Sequence, residues 1–126
     1  INALTASNFV LVPLQTHYFA LYGISDLMET IGKLKHEINP DLELLGIVLT
    51  MYDKRTRISR EVEAMAEERF NGKLFATRIP VCVKAAESPS HHKPVPIYAP
   101  ASSVAQSYRI LTQELLQCLK GCEITL

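Results

Sequence analysis

Two patterns of apolar and polar residues alternate along this chain. Short apolar runs are typical of strands covered on both faces, and apolar residues spaced three or four apart are typical of amphipathic helices. The patterns predict strands at residues 8–14, 44–50 and 73–79, and helices at residues 23–38, 59–70 and from 103 onward. The residues between 80 and 103 contain four prolines and are predicted to form a long connection.

The predicted helices have recognisable ends and inward faces. Asn39-Pro40-Asp41 ends the first helix and Asn71-Gly72 ends the second. Ser103 and Gln106 match a capping box at the start of the last helix, and Gly121 matches a C-cap. The residues predicted to face inward are Ile24, Leu27, Met28, Ile31, Leu34 and Ile38 in the first helix, Val62, Met65, Ala66 and Phe70 in the second, and Val104, Tyr108, Leu111, Leu115 and Leu119 in the last.

The order of these elements predicts an α/β fold with a parallel sheet flanked by helices. The 126 residues fit a single domain, so we treat 1–126 as one unit. In a parallel sheet the loops after Leu14, Thr50 and Ile79 emerge at one edge, where open α/β proteins bind ligands. We therefore expect the function to reside at that edge.

Composition narrows the class of protein without identifying it. The chain is 48% apolar and 21% charged, with 13 basic and 13 acidic residues, so no global field draws it to nucleic acid. The apolar runs are too short to span a bilayer. Its three cysteines form no disulfide framework, which favours a reducing, cytoplasmic location. Cys118 and Cys122 lack a second ligand pair, so we predict no metal site.

The loop after the second predicted strand is rich in cations. Lys54, Arg55 and Arg57 lie within it, and Arg60 follows one turn into the next helix. Arginine and lysine bind phosphate oxygens, and Lys84 in the neighbouring loop would extend the charged surface. A solvated, charged loop without a ligand is an equally good interpretation of these residues alone.

Other chemistry-bearing residues indicate no catalytic centre. His91 and His92 are adjacent, point in different directions in an ordinary loop, and are better explained as solvent-facing side chains. The five glycines are scattered, so the chain contains no glycine-rich phosphate loop. We therefore assign no catalytic residue. From these residues alone, the chain is predicted to be an α/β module that binds a ligand at one sheet edge.

Several segments in order resemble the ParA/Soj family of deviant-Walker ATPases, which segregate chromosomes and plasmids. They are Ile1–Ser7, Val12–Gln15, Tyr18–Gly23, Leu49–Thr56, Ala86–His91 and Lys93-Pro94. The resemblance extends over nearly the whole chain and corresponds to the C-terminal half of a typical member. It implies a P-loop NTPase fold in which the other half supplies the phosphate loop and the magnesium-binding residues. The chain begins at Ile1, which suggests a fragment, and we predict that these residues alone neither hydrolyse ATP nor bind it tightly.

The resemblance also implies roles for particular residues. Thr50 and Met51, with Pro80 and Val81, correspond to turns that flank the adenine of ATP. Arg55 falls where the family places an arginine that contacts DNA, and the cations predicted to join it are Lys54, Arg57 and Lys84. The family implies a homodimer closed by ATP and Mg²⁺ that binds DNA non-specifically at the bacterial nucleoid. A ParB-type partner protein stimulates its hydrolysis.

This sequence departs from the family pattern at two places. Family members often carry arginines after the proline of the third strand, where this chain has Val81-Cys-Val-Lys84 with a single charge. A glycine common in the Ser-His-Gly-Lys-Pro run is replaced by His92, at a turn where glycine would tolerate positive φ. We therefore expect a smaller charged surface for DNA after the third strand and an altered turn at His92.

Two other functions fit the same segments. The first is a catalytically silent module that dimerises or binds a ParB-like partner without nucleotide. The second is a MinD-like relative that cycles on membranes. It is disfavoured because the last helix carries only Arg109 and Lys120 as cations.

Overall fold

The computed structural model describes residues 1–121. Its strands are β1 (Phe9–Gln15), β2 (Glu43–Tyr52) and β3 (Leu74–Pro80). Its helices are α1 (Asn2–Thr5), α2 (Ala20–Glu37), α3 (Arg57–Arg69), α4 (Val83–Glu87), α5 (Val95–Tyr98) and α6 (Ser103–Gly121), with a 3₁₀ turn at Ser88–His91 between α4 and α5.

The three strands form one parallel sheet in the order β1-β2-β3. Gln15 lies beside Thr50 at the ends of β1 and β2, and Tyr52 lies beside Pro80 at the ends of β2 and β3. All three strands therefore end at the same sheet edge. The predicted α/β class, the parallel sheet and the shared edge are confirmed.

Helices cover both faces of this sheet. Ile47 and Leu49 of β2 pack with α2 and α3 on one face, where Val62 is also buried. Val48, between them in sequence, packs on the other face with Val104 of α6. Because successive side chains of a strand point to opposite faces, this alternation builds a core on each side of β2.

Several predicted details of the helices were wrong. Ile38, Met65 and Tyr108 were expected to face inward, but all three are exposed. The predicted capping box does not start α6, because the hydroxyl of Ser102 accepts the hydrogen bond from the Ala105 N–H. Helices α4 and α5 and the 3₁₀ turn occupy what was predicted to be a long loop.

Membrane spans and metal-binding groups were both sought among the described residues. None of the helices within residues 1–121 is long and apolar enough to cross a membrane. In the same part of the chain, no three His, Cys, Asp or Glu side chains are grouped so that they could hold a metal ion. Cys122 lies outside the described residues, as does the chain beyond Gly121, so neither the Cys118–Cys122 pair nor the predicted C-cap is tested.

Candidate functional site

A cleft of about 340 Å³ lies where β2 and β3 end. Its lining comes from the last residue of β2 and of β3 and from the residues that follow each strand: Tyr52, Asp53, Lys54, Arg55, Pro80 and Val81. The Val81 N–H donates to the Tyr52 carbonyl at 3.3 Å, which extends strand pairing past the end of β3. Two turns that are far apart in sequence thus form one opening.

The four residues predicted to flank a nucleotide base lie in or beside this cleft. Pro80 and the exposed Val81 line it directly. Thr50 and Met51 are the two residues of β2 before Tyr52, which lines the cleft. Met51 has a φ of 49°. Left-handed backbone is uncommon for a residue with a side chain, so this turn is held by its surroundings.

Two buried hydroxyl groups lie beneath this turn. The Thr16 hydroxyl donates to the Met51 carbonyl at 2.7 Å, and the Ser59 hydroxyl donates to Thr16 Oγ1 at 3.2 Å. The Asp53 N–H in turn donates to Ser59 Oγ at 3.1 Å. Sequence analysis missed Thr16 and Ser59, because isolated hydroxyl residues carry no pattern that distinguishes a buried pair from a surface one.

The arginine predicted to contact DNA is bound to a neighbouring carboxylate. Arg55 Nε and Nη2 donate to the two oxygens of Asp53 at 3.0 and 2.8 Å, and the Arg55 N–H also donates to Asp53 Oδ1. These hydrogen bonds lower the pKa of Asp53 to about 2 and raise that of Arg55. Because the Arg55 side chain is 85% exposed, water screens this pair strongly.

Arg57 forms a similar exposed pair at the start of α3. Its Nε donates to Glu61 Oε1 at 2.6 Å, and the Tyr18 hydroxyl donates to Glu61 Oε2 at 2.8 Å. The bonds from Tyr18 and then Arg57 lower the pKa of Glu61, and the bond to this carboxylate raises the pKa of Tyr18. Glu61 therefore joins the loop after β1 to α3.

Lys84 lies in α4, where Nζ is 3.2 Å from Glu87 Oε2. The Tyr98 hydroxyl donates to the same oxygen at 3.0 Å, and the His91 ring stacks on Tyr98 with centroids 4.5 Å apart. The Lys84 and Tyr98 hydrogen bonds lower the pKa of Glu87. His92 has a φ of 53°, so the residue that replaces the common glycine still adopts left-handed backbone.

The cations predicted to bind DNA thus differ in their pairing. Arg55, Arg57 and Lys84 each have a carboxylate partner, while Lys54 forms no ion pair within residues 1–121. All four side chains belong to exposed residues, so a phosphate could displace the carboxylates at small cost. The loop is less positive than a count of its basic residues implies.

A more deeply placed ion pair supports the cleft from below. Arg78 of β3 donates through Nε to Glu63 Oε1 of α3 at 2.8 Å, and the Tyr52 hydroxyl donates to Glu63 Oε2 at 2.6 Å. Burial raises the pKa of Glu63, but these two donors outweigh it and lower the pKa overall. This network joins Tyr52, a cleft residue, to both α3 and β3.

Comparisons with known proteins identify relatives of this architecture. A family model described as an AAA domain matches residues 1–44. The chain is 43% identical over 116 residues to the chromosome-partitioning ATPase Soj of Thermus thermophilus, a match that covers 92% of this chain and 47% of that protein. It is 40% identical over 116 residues to the chromosome partitioning protein ParA of Caulobacter vibrioides, again over 92% of this chain, and 43% of that protein.

A solved structure resembles the fold as well. Cobyrinic acid a,c-diamide synthase from Mycobacterium smegmatis superimposes with a TM-score of 0.73 and 33% identity, over 94% of this chain and 42% of that one. The same synthase has been solved with ADP and magnesium bound. In each comparison this chain spans less than half the length of the protein that it matches.

Proposed function

Because the chain belongs by sequence to the ParA/Soj family of chromosome-partitioning ATPases, we propose that it forms the base-binding and DNA-binding part of such an ATPase. The observation that carries this proposal is the identity of 40–43% over 92% of the chain to partitioning ATPases. The meeting of the two predicted turns at one cleft supports it. We use "intact protein" below for the complete gene product that contains residues 1–126.

ATP with Mg²⁺ is the proposed ligand of the intact protein. The adenine would lie against backbone groups of Thr50, Met51, Pro80 and Val81, and the triphosphate would be held by residues outside this sequence. The ADP and magnesium bound to the structurally similar synthase support a nucleotide of this class. The residues described here would contribute shape and hydrogen bonds at the base, and no catalytic group.

DNA is the proposed second ligand. Lys54, Arg55 and Arg57 lie in one short stretch at the sheet edge, and Lys84 follows β3 at the same edge. Contacts between such cations and phosphates are sequence-independent and weaken steeply as salt is added. We propose that a nucleotide-closed homodimer binds nucleoid DNA in the cytoplasm in this way and that a ParB-type partner stimulates its ATP hydrolysis.

A catalytically silent dimerisation or partner-binding module is the second candidate. It is favoured by the carboxylate partners of three of the four predicted DNA-binding cations. In that case the cleft would hold no base, and the paired cations would serve only to stabilise local structure.

The test is equilibrium binding of ATP and magnesium to the intact protein, followed by steady-state hydrolysis with and without double-stranded DNA. We expect saturable ATP binding, nucleotide-dependent dimerisation in light scattering, and turnover. Residues 1–126 expressed alone are expected to show no turnover. An intact protein that dimerises equally well without nucleotide and does not bind ATP would support the silent module instead.

A further inference from the structure

The left-handed conformation of Met51 is held by a directed chain of hydrogen bonds. It starts at the Asp53 N–H, passes through the hydroxyls of Ser59 and Thr16, and ends at the Met51 carbonyl. Each hydroxyl accepts one hydrogen bond and donates onward. Thr16 Oγ1 also lies 3.3 Å from the Thr50 carbonyl, and the Thr16 N–H donates to that carbonyl at 3.2 Å.

The two hydroxyl side chains are isolated from water. Thr16 is 1% exposed and Ser59 is 2% exposed; Thr16 directly follows β1, and Ser59 lies in the first turn of α3. A buried hydroxyl is costly unless its hydrogen bonds are made, so each member of the chain depends on the next. Within residues 1–121 no buried side-chain nitrogen or oxygen lacks a partner, which agrees with a fully used chain.

This chain of bonds acts on the wall of the cleft. Met51 immediately precedes Tyr52 and Asp53, which line it, and the Tyr52 carbonyl accepts the hydrogen bond from the Val81 N–H. A change of backbone at Met51 would therefore move both turns that meet at the cleft. Neither hydroxyl lines the cleft itself, so any effect on a ligand must pass through the backbone of this turn.

We propose that Thr16 and Ser59 are positioning residues that determine which base is bound. They would do so by holding the backbone of residues 50–53, which we call the Met51 turn. This inference rests on the proposed function, in which that turn flanks the adenine. The left-handed backbone at Met51 fixes the direction of the peptide groups on either side of it, and hydrogen bonds to those groups distinguish one base from another. Removing the donor that holds the Met51 carbonyl would let the turn relax toward ordinary backbone angles.

The experiment measures binding of ATP, GTP and inorganic tripolyphosphate to the intact protein and to Thr16→Val. Valine keeps the shape of threonine but cannot donate to the Met51 carbonyl. We expect ATP binding to weaken about tenfold, which corresponds to the loss of one buried hydrogen bond. Preference for ATP over GTP should fall with it, while tripolyphosphate, which has no base, should bind as before. Ser59→Ala should shift selectivity in the same direction.

Two further variants separate positioning from general destabilisation. Thr16→Ser keeps the hydroxyl donor, so its affinity for ATP and its preference for ATP over GTP should equal those of the wild type. Thr77→Val removes a buried hydroxyl that bonds to Glu114 instead, so it should lower the melting temperature without altering selectivity. If the wild type binds ATP, and Thr16→Val and Ser59→Ala bind it with the same affinity and selectivity, this inference is overturned. The proposed function would then still stand. Absence of ATP binding by the wild type would overturn the proposed function and this inference together.

Discussion

The Arg55 guanidinium is clamped by the Asp53 carboxylate two residues before it, through hydrogen bonds of 3.0 and 2.8 Å. Both residues of this ion pair line the cleft. A fork of this kind is the geometry in which arginine also binds a phosphate. In the proposed complex with DNA, Asp53 would therefore compete with a phosphate for Arg55 and lower the affinity of this loop.

Replacing Asp53 by Asn is expected to increase DNA affinity severalfold at low salt. The change removes the charge that neutralises Arg55, while the remaining amide oxygen can still accept the Arg55 N–H. Arg55→Ala should weaken binding and reduce its salt dependence, since fewer phosphates are then neutralised. Fluorescence anisotropy of the intact protein with a random-sequence duplex at several salt concentrations measures both.

Glu29→Gln is the matched control for this experiment. It also removes one negative charge and frees Lys33, but on the exposed surface of α2. Equal gains in affinity for the two variants would mean that net charge, and not release of Arg55, accounts for the change. Because the pKa of Asp53 is about 2, acidification to pH 5 should not reproduce the effect of Asp53→Asn.

Glu114→Gln is expected to destabilise the intact protein by about 1.5–3 kcal/mol at pH 7, the range for hydrogen bonds to a charged group. The Glu114 carboxylate accepts from the backbone N–H groups of Ala76 and Thr77 at 2.6 and 2.9 Å and from the Thr77 hydroxyl. It thus fastens α6 to the outer edge of β3. Glu68→Gln, at an exposed site on α3, should be neutral.

The same carboxylate predicts how this difference depends on pH. Burial raises the pKa of Glu114, but the hydrogen bonds from Thr77 and Ala76 outweigh it and lower the pKa overall. Its contribution to stability is complete above the unfolded pKa of about 4.3 and is lost as pH falls through the lower folded value. Urea unfolding at pH 7 and below pH 4 should show the wild-type advantage over Glu114→Gln shrinking with acid. A constant difference would contradict this assignment.

Glu63 and Arg78 should be coupled by more than about 1 kcal/mol in a double-mutant cycle. Their side chains are only 24% and 20% exposed, and the two residues bridge α3 and β3 at 2.7 Å. The control is a cycle on Glu29 and Lys33, which form an exposed pair of similar length and should be coupled much more weakly, because water screens the two charges. Unfolding free energies of Glu63→Gln, Arg78→Met and the double variant supply the measurement. Equal coupling energies in the two cycles would show that partial burial does not strengthen the Glu63–Arg78 pair.

Gly46→Ala and Gly32→Ala should change stability in opposite directions. A Cβ on Gly46 would lie 2.3 Å from a Phe75 ring carbon and 2.8 Å from the Lys73 carbonyl, so we expect a loss of about 1–3 kcal/mol. A Cβ on Gly32, within α2, meets nothing within 4 Å, and alanine there should stabilise by about 0.5–1 kcal/mol. Thermal unfolding of both variants tests this pair. A stable Gly46→Ala would mean that Phe75 can move aside.

The positions of the strands could be predicted because their apolar residues run together locally. The predicted strands 8–14, 44–50 and 73–79 all lie within two residues of β1, β2 and β3 at each end. Helix faces were predicted less well, since Met65 and Tyr108 fit the period but are exposed. Apolar spacing indicates one side of a helix, whereas burial depends on what packs there.

The sequence by itself determined the α/β class, the shared sheet edge and the cations placed on it, because these follow from local periodicity and from the order of elements. The carboxylates that pair with Arg55, Arg57 and Lys84 lie within four residues of them in sequence. Only the tertiary structure decided which hydroxyls hold the Met51 turn and which carboxylate joins α6 to β3. Thr16 and Ser59 are 43 residues apart, and Thr77 and Glu114 are 37 apart. Hydrogen bonds of this kind depend on distances of a few ångströms between elements, and such distances exist only after the chain has packed.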